Sequence, residues 1–171
     1  MKVCLKCIVY HNICLFFNAG LSEHGDTSLL EDESPAKEVV EYRKQQSNLF
    51  ASSTVPRYSR NPNVNFRIGD VVIHKHKKLR GVVVGWDYEA QAPPEYIKEF
   101  YTPTEVNQPN YLVAIDTRDR LNPQFTYTPG DNLELLSNVR IIHPNLEDYF
   151  EFYDGNRFIP RPWLQAIYPK D

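Results

Sequence analysis

The chain has 171 residues, with 19 Lys and Arg against 22 Asp and Glu and a formal charge of −3 at pH 7. That is room for one ordinary domain with arms, and it excludes the strongly basic profile of a protein that lives on phosphate neutralisation. No apolar run reaches the ~18 residues that a membrane helix needs. Eleven Tyr, nine Phe and thirteen Pro beside a single Met favour β-rich, turn-rich structure over a helical bundle.

All three cysteines, Cys4, Cys7 and Cys14, sit at the N-terminus, so the folded part is built without disulfides, which fits a reducing compartment. Lys2 and Lys6 followed by the apolar stretch 7–17 have the outline of a secretory signal. Against it stand the interruption at His11-Asn12 and the absence of small residues before a cleavage point at Phe17 or Asn18. The expected location is intracellular, cytoplasm or nucleus, with secretion the alternative if residues 1–19 act as a signal. Cys4, Cys7, His11 and Cys14 also have the donor types of a zinc site. The residues between them are Leu, Lys, Ile, Val, Tyr and one Asn, without the Gly a tight metal loop needs, and no metal or other cofactor is assigned.

An acidic stretch, Glu31-Asp32-Glu33, leads to Ser34-Pro35, a cap followed by a ring that pre-sets the first helical φ. One helix is predicted over about 35–50, with Ala36, Val39, Val40, Leu49 and Phe50 as a partial apolar stripe. Residues 51–63 (ASSTVPRYSRNPN) read as a linker. A domain expected to fold on its own then occupies 64–171. Period-two patterning and short buried runs predict strands at 70–74 (DVVIH), 81–87 (GVVVGWD), 111–117 (YLVAIDT), 124–128 (QFTYT) and 132–136 (NLELL). The long insertion 88–109 contains a short helix over 95–101, with Ile97, Phe100 and Tyr101 at helical spacing. After the strands, 145–153 (NLEDYFEFY) reads as a helix stopped by Gly155. Phe158, Ile159, Leu164 and Ile167 then form a strap over an open sheet edge.

The blocks FRIGDVVIHKHKKLRGVVVGWD, QPNYLVAIDTRD, TYTPGDNLEL and IIHPNLEDYFEFYDGNRFIP, in that order, resemble the YccV-like domain family, which includes the bacterial HspQ type and is also named the hemimethylated DNA-binding domain. The stretch 143–171 looks more like the animal version that ends an F-box-only protein. The resemblance covers roughly 64–171. It implies a mainly β fold, a small SH3-like β-barrel of about five strands with a helix-and-strap extension, and it implies DNA binding. It also implies an adaptor that hands proteins to degradation, since members of the family resemble such adaptors.

For catalysis the sequence offers no G-x-S-x-G, H-E-x-x-H, G-x-G-x-x-G or phosphate-loop pattern, and Asp87 and Asp116 at strand ends fit turn capping better than an acid pair. A non-enzymatic binding module is expected. The nucleic-acid candidates are His74, Lys75, His76, Lys77, Lys78 and Arg80 on one hairpin tip, with Trp86 as the stacking surface. Residues 64–171 carry twelve basic and fifteen acidic groups, so DNA affinity through that one patch would be modest and salt-sensitive. The protein-binding candidates are Trp86, Tyr96, Phe100, Tyr101 and Trp163, since aromatic anchors carry much of interface energy. The charge balance favours a protein partner, one from a degradation pathway, over DNA. Trp86 itself is expected to be partly buried, a plug more than a platform.

Overall fold

The structure, a computed structural model, describes residues 48–171. The zinc-like spacing, the acidic stretch and most of the helix expected over 35–50 lie outside the described residues; Asn48–Phe50, its last expected residues, form a bend and turn. Valine-rich and aromatic segments punctuated by Pro and Gly build five short antiparallel strands: β1 (Val71–His74), β2 (Arg80–Asp87), β3 (Asn110–Ile115), β4 (Phe125–Pro129) and β5 (Leu133–Leu135). Each lies within two residues of its predicted place. The fold is mainly β, with the strands side by side in the order β4-β3-β2-β1-β5.

Hydrogen bonding does not close this sheet into a barrel. β4 and β5 share no rung and are joined by a single 3-10 turn, Gly130–Asn132. Pro129 has no N–H to offer a further strand, and the outward carbonyl of Tyr127 is taken instead by the phenol of Tyr101, 3.2 Å away. The insertion between β2 and β3 forms α1 (Pro94–Phe100) and α2 (Pro103–Val106). The second of these was not predicted. Its signal is in the sequence all the same: Thr102, Pro103 and Glu105 make a capping box, with Thr102 N–H donating to Glu105 Oε2 at 2.8 Å.

The stretch expected as one helix over 145–153 divides into α3 (Leu146–Tyr149) and a strand, β6 (Phe150–Tyr153), which pairs with β7 (Phe158–Pro160). The cause is the turn between them. Asp154 Oδ1 accepts the N–H groups of Asn156 and Arg157, each at 2.8 Å, and Gly155 takes φ +102°, so the glycine turns a hairpin rather than ending a helix. The chain then enters α4 (Pro162–Ile167), whose Leu164 and Ile167 are buried together with Phe158 of β7. The four strap residues are thus buried or, at Ile159, half-buried, but β7 pairs with β6 rather than with either edge strand of the sheet.

β2 is the spine of the core. Val82, Val83, Val84 and Trp86 are all buried, worth about 1.5–3 kcal/mol each by area. Both faces are covered because residues 50–57 and the end of the chain pack against the sheet. The amide of Trp86 donates to the Tyr168 phenol at 3.1 Å, and its indole N–H donates to Asp171 Oδ2 at 2.9 Å. At Gly85 a β-carbon would lie 3.0 Å from the Ala51 methyl and 3.2 Å from the Tyr168 hydroxyl, so the missing side chain is the seat that Ala51 occupies.

Residues 51–63 have no helix or strand, yet they are held firmly. Phe50 and Ala51 take φ +54° and +58°, left-handed conformations that cost on the order of 1–3 kcal/mol each for residues with a β-carbon. The strain is held by hydrogen bonds from Phe50 N–H to the Gln91 carbonyl at 2.6 Å and from Ala51 N–H to Asp87 Oδ2 at 2.7 Å. Arg57 donates to Asp87 Oδ1 at 2.6 Å and lies over the rings of Trp86 and Tyr168, at 5.3 and 4.9 Å. Tyr127 gives its phenolic proton to Asp87 Oδ2 at 2.7 Å. Burial pushes the Asp87 carboxyl up, while Tyr127, Arg57 and the Ala51 amide pull it down.

Removing Arg57 leaves a buried carboxylate with one donor fewer. Arg57→Ala is expected to lower stability by about 3–5 kcal/mol in denaturant titration. A fragment starting at residue 64 is expected to melt well below one starting at residue 48. Equal midpoints for the two fragments would show that the arm contributes nothing to the fold.

Candidate binding cleft

The hairpin between β1 and β2 is organised by a histidine. His74 is only 5% exposed, and its Nδ1 accepts the backbone N–H groups of His76 and Lys77, both at 3.3 Å. Burial, together with the nearby charges of Lys77 and His76, holds the imidazole at about 4, well below its ordinary 6.5. His74 is thus a neutral brace inside the turn. Around it Lys75, His76, Lys77 and Lys78 are exposed, with Lys78 at φ +55° and Lys75 Nζ donating to the Asp131 carbonyl at 2.7 Å. Arg80 is already paired: its Nε and Nη2 donate to the two oxygens of Asp119 at 2.9 and 2.6 Å, which raises the guanidinium and lowers the carboxyl.

Beside this turn opens a cleft of about 320 Å³, lined by His74, His76 and Lys77 together with Tyr96, Phe100 and Tyr101 of the insertion. Three members of each candidate set, read from the sequence for different partners, line this cleft, while Lys75, Lys78 and Arg80 lie beside it on the hairpin and outside its lining. Its remaining lining is the whole of β4, Phe125 to Pro129, with Glu105 and Asn132. Sequence reasoning took 124–128 (QFTYT) only as a strand and missed its role as a lining. The tyrosines are anchored: burial pushes the phenols of Tyr101 and Tyr127 up, and Tyr127 also accepts the N–H of Gln91 at 3.0 Å. Glu105 spends its oxygens on Thr102 and on Asn132 Nδ2 at 3.2 Å, contacts that hold its carboxyl below the usual range.

Two candidates lie elsewhere. Trp86, placed beside the lysine tip by sequence reasoning, is at the opposite end of β2, about 20 Å along the strand from Arg80. It is 1% exposed, which leaves no ring face for a base or a partner; it is a full plug rather than a partly buried one. Trp163 is 8% exposed, and its indole N–H donates to the Asp148 carbonyl at 3.1 Å, so it pins α4 to α3 rather than meeting a partner. Asp87 and Asp116 are separate anchors: Asp116 Oδ1 accepts Arg118 Nε at 2.9 Å and its Oδ2 accepts Arg118 Nη2 at 2.6 Å. Among the described residues no three or more His, Cys, Asp or Glu side chains are grouped to hold a metal, and no helix is long and apolar enough to cross a membrane.

A small β domain that sets a cationic rim against an aromatic floor has the make-up of a ligand-binding module. Residues 64–157 match the family described as "Hemimethylated DNA-binding protein YccV like", more than half of the chain. The chain belongs to this YccV-like family. It is also similar to F-box only protein 21: 29% identical over 113 residues to the Mus musculus protein, and 28% over the same length to the Homo sapiens protein. Each alignment takes in 64% of this chain but only 17% of the relative, so the chain spans about a sixth of their length.

The turn brace gives a pH dependence. His74, and His143 buried beside Phe125, are both held at about 4 in the fold, whereas in the unfolded chain they protonate near 6.5. Between those values the unfolded state binds more protons, so stability that is full above about pH 6.5 is lost as pH falls towards 4. Asp70 and Asp87, whose carboxyls burial pushes up, work in the opposite sense. The double variant His74→Asn, His143→Asn keeps an acceptor oxygen near each Nδ1 and isolates the imidazoles. Its stability, followed by urea titration, is expected to fall less between pH 6.5 and 4 than that of the wild type; an unchanged fall would remove the histidines from the account.

Proposed function

We propose that the chain is a non-enzymatic binding module whose cleft takes a short polypeptide segment bearing aromatic and acidic side chains. One observation carries this: the exposed side chains of His76 and Lys77 and the half-buried rings of Tyr96, Phe100 and Tyr101 converge on the same 320 Å³ cleft. An aromatic side chain between those rings gains area burial and ring contacts, and neighbouring carboxylates gain the lysine rim. Such a module would act as an adaptor inside the cell, presenting a bound protein to a degradation pathway. Similarity to F-box only protein 21 supports that finer reading.

DNA is the second reading, favoured by the family's description and by Lys75, Lys77 and Lys78 standing exposed on one turn. With Arg80 paired to Asp119, His74 neutral and Trp86 buried, three lysines remain as phosphate anchors. Contacts through that turn alone would give a salt slope of about 3 on duplex DNA, at ~0.9 per contact.

The two readings separate in one titration series. The acidic aromatic hexapeptide Glu-Glu-Phe-Glu-Glu-Tyr and a hemimethylated DNA duplex are each titrated by fluorescence anisotropy at low and moderate salt. Peptide binding is expected to lose at least about tenfold in Phe100→Ala, an anchor-sized effect, and less in Lys77→Ser. Duplex binding that falls steeply with salt and vanishes in the triple Lys75, Lys77, Lys78→Ser variant, with no peptide binding, would reverse the order of the two.

A further inference from the structure

The aromatic lining of the cleft is in contact with a residue outside the family match. Tyr96 and Tyr127 belong to its lining, and the ring of Phe50 meets both edge-on, at 5.2 and 5.4 Å. Tyr127 is fixed at three points: its phenol donates to Asp87 at 2.7 Å and accepts from Gln91 N–H at 3.0 Å, and its carbonyl accepts from Tyr101 at 3.2 Å. The same two residues, Asp87 and Gln91, receive the arm. Gln91 accepts Phe50 N–H through its carbonyl, and Asp87 accepts Ala51 N–H and the Arg57 guanidinium. None of the arm residues lines the cleft.

We propose that the segment Phe50–Arg57 is a positioning element for the cleft, acting through Tyr96 and Tyr127. Seated in the space left by Gly85, it fixes both rings for a ligand. Unseated, it removes the edge-on contacts and two of the donors on Asp87, and the aromatic floor loosens. The two consecutive left-handed residues at Phe50 and Ala51 make the seat conditional, because their strain is released when the arm leaves. The cleft's affinity is thereby tied to a segment that the family's own span, 64–157, does not contain. The ligand half of this proposal rests on the peptide reading above; the positioning half does not.

The test uses the full 171-residue chain. Phe50→Ala removes the ring contact, Gly85→Ala places a methyl against Ala51 and the Tyr168 hydroxyl at a distance from the cleft, and Phe50→Leu is the conservative control. Two quantities are read: backbone hydrogen exchange, and affinity for the hexapeptide Glu-Glu-Phe-Glu-Glu-Tyr. Expected are faster exchange at residues 96–101 and 125–128 in both disruptive variants, with wild-type protection retained where β1 pairs with β5. Peptide affinity should fall on the order of tenfold in each, and Phe50→Leu should recover most of both effects. Wild-type exchange at 96–101 and 125–128 in Phe50→Ala and Gly85→Ala would overturn the proposal. So would protection lost equally across the whole ladder, the mark of a merely structural role. Should the wild-type chain fail to bind the peptide, the functional reading fails while the exchange pattern still decides the role of the arm.

Discussion

One buried carboxylate organises the molecule. Asp87 ends β2 in surroundings that penalise its charge, and an ionised group there persists only when donors surround it. The donors come from far apart in the chain: the Ala51 amide and the Arg57 guanidinium from the arm, and the Tyr127 phenol from β4. Arg57 in turn lies over Trp86 and Tyr168, which brings in the end of the chain. A single acidic side chain thus obliges arm, sheet and C-terminal strap to converge. It is an expensive arrangement to break, because any one missing donor leaves a desolvated charge behind.

Pairing also decides where the surface can act. Arg80 and Arg118 are bound face to face by Asp119 and Asp116, so their charge supports the β-sheet ends rather than a ligand. Of the exposed lysines, Lys75, Lys77 and Lys78 stand together on the His74–Leu79 turn, next to the aromatic insertion. The proposed function is correspondingly local: it draws on one rim and one floor, and the net charge of the whole says little about it.

Much of the fold is legible in the sequence because short β-strands write themselves as period-two alternation or as short apolar runs bounded by turns. The same rule held an overlooked clue, since His74 shares its strand face with Val72 and so belongs inside with it. The lysine run around it carries the opposite signal, that of an exposed charged turn. Trp86 was harder. Its burial depends on Asp171 and Tyr168, more than 80 residues on, returning to cover it, and no local pattern encodes such a return. The Arg80–Asp119 pair is equally non-local. At 150–157 the local signal existed but pointed both ways: an aromatic run compatible with a helix, and an Asp-Gly-Asn turn that makes a hairpin.

The insertion has a second consequence. β4 lies at the rim of the sheet, and a rim strand rich in Phe, Thr and Tyr is a template for adding strands from other molecules. Tyr101 occupies the Tyr127 carbonyl, and Pro129 ends the strand with a residue that cannot donate. The loop that forms the cleft is therefore also a guard against aggregation. Shortening it to simplify the domain would expose a sticky β-strand, and the price of a smaller protein would be its solubility.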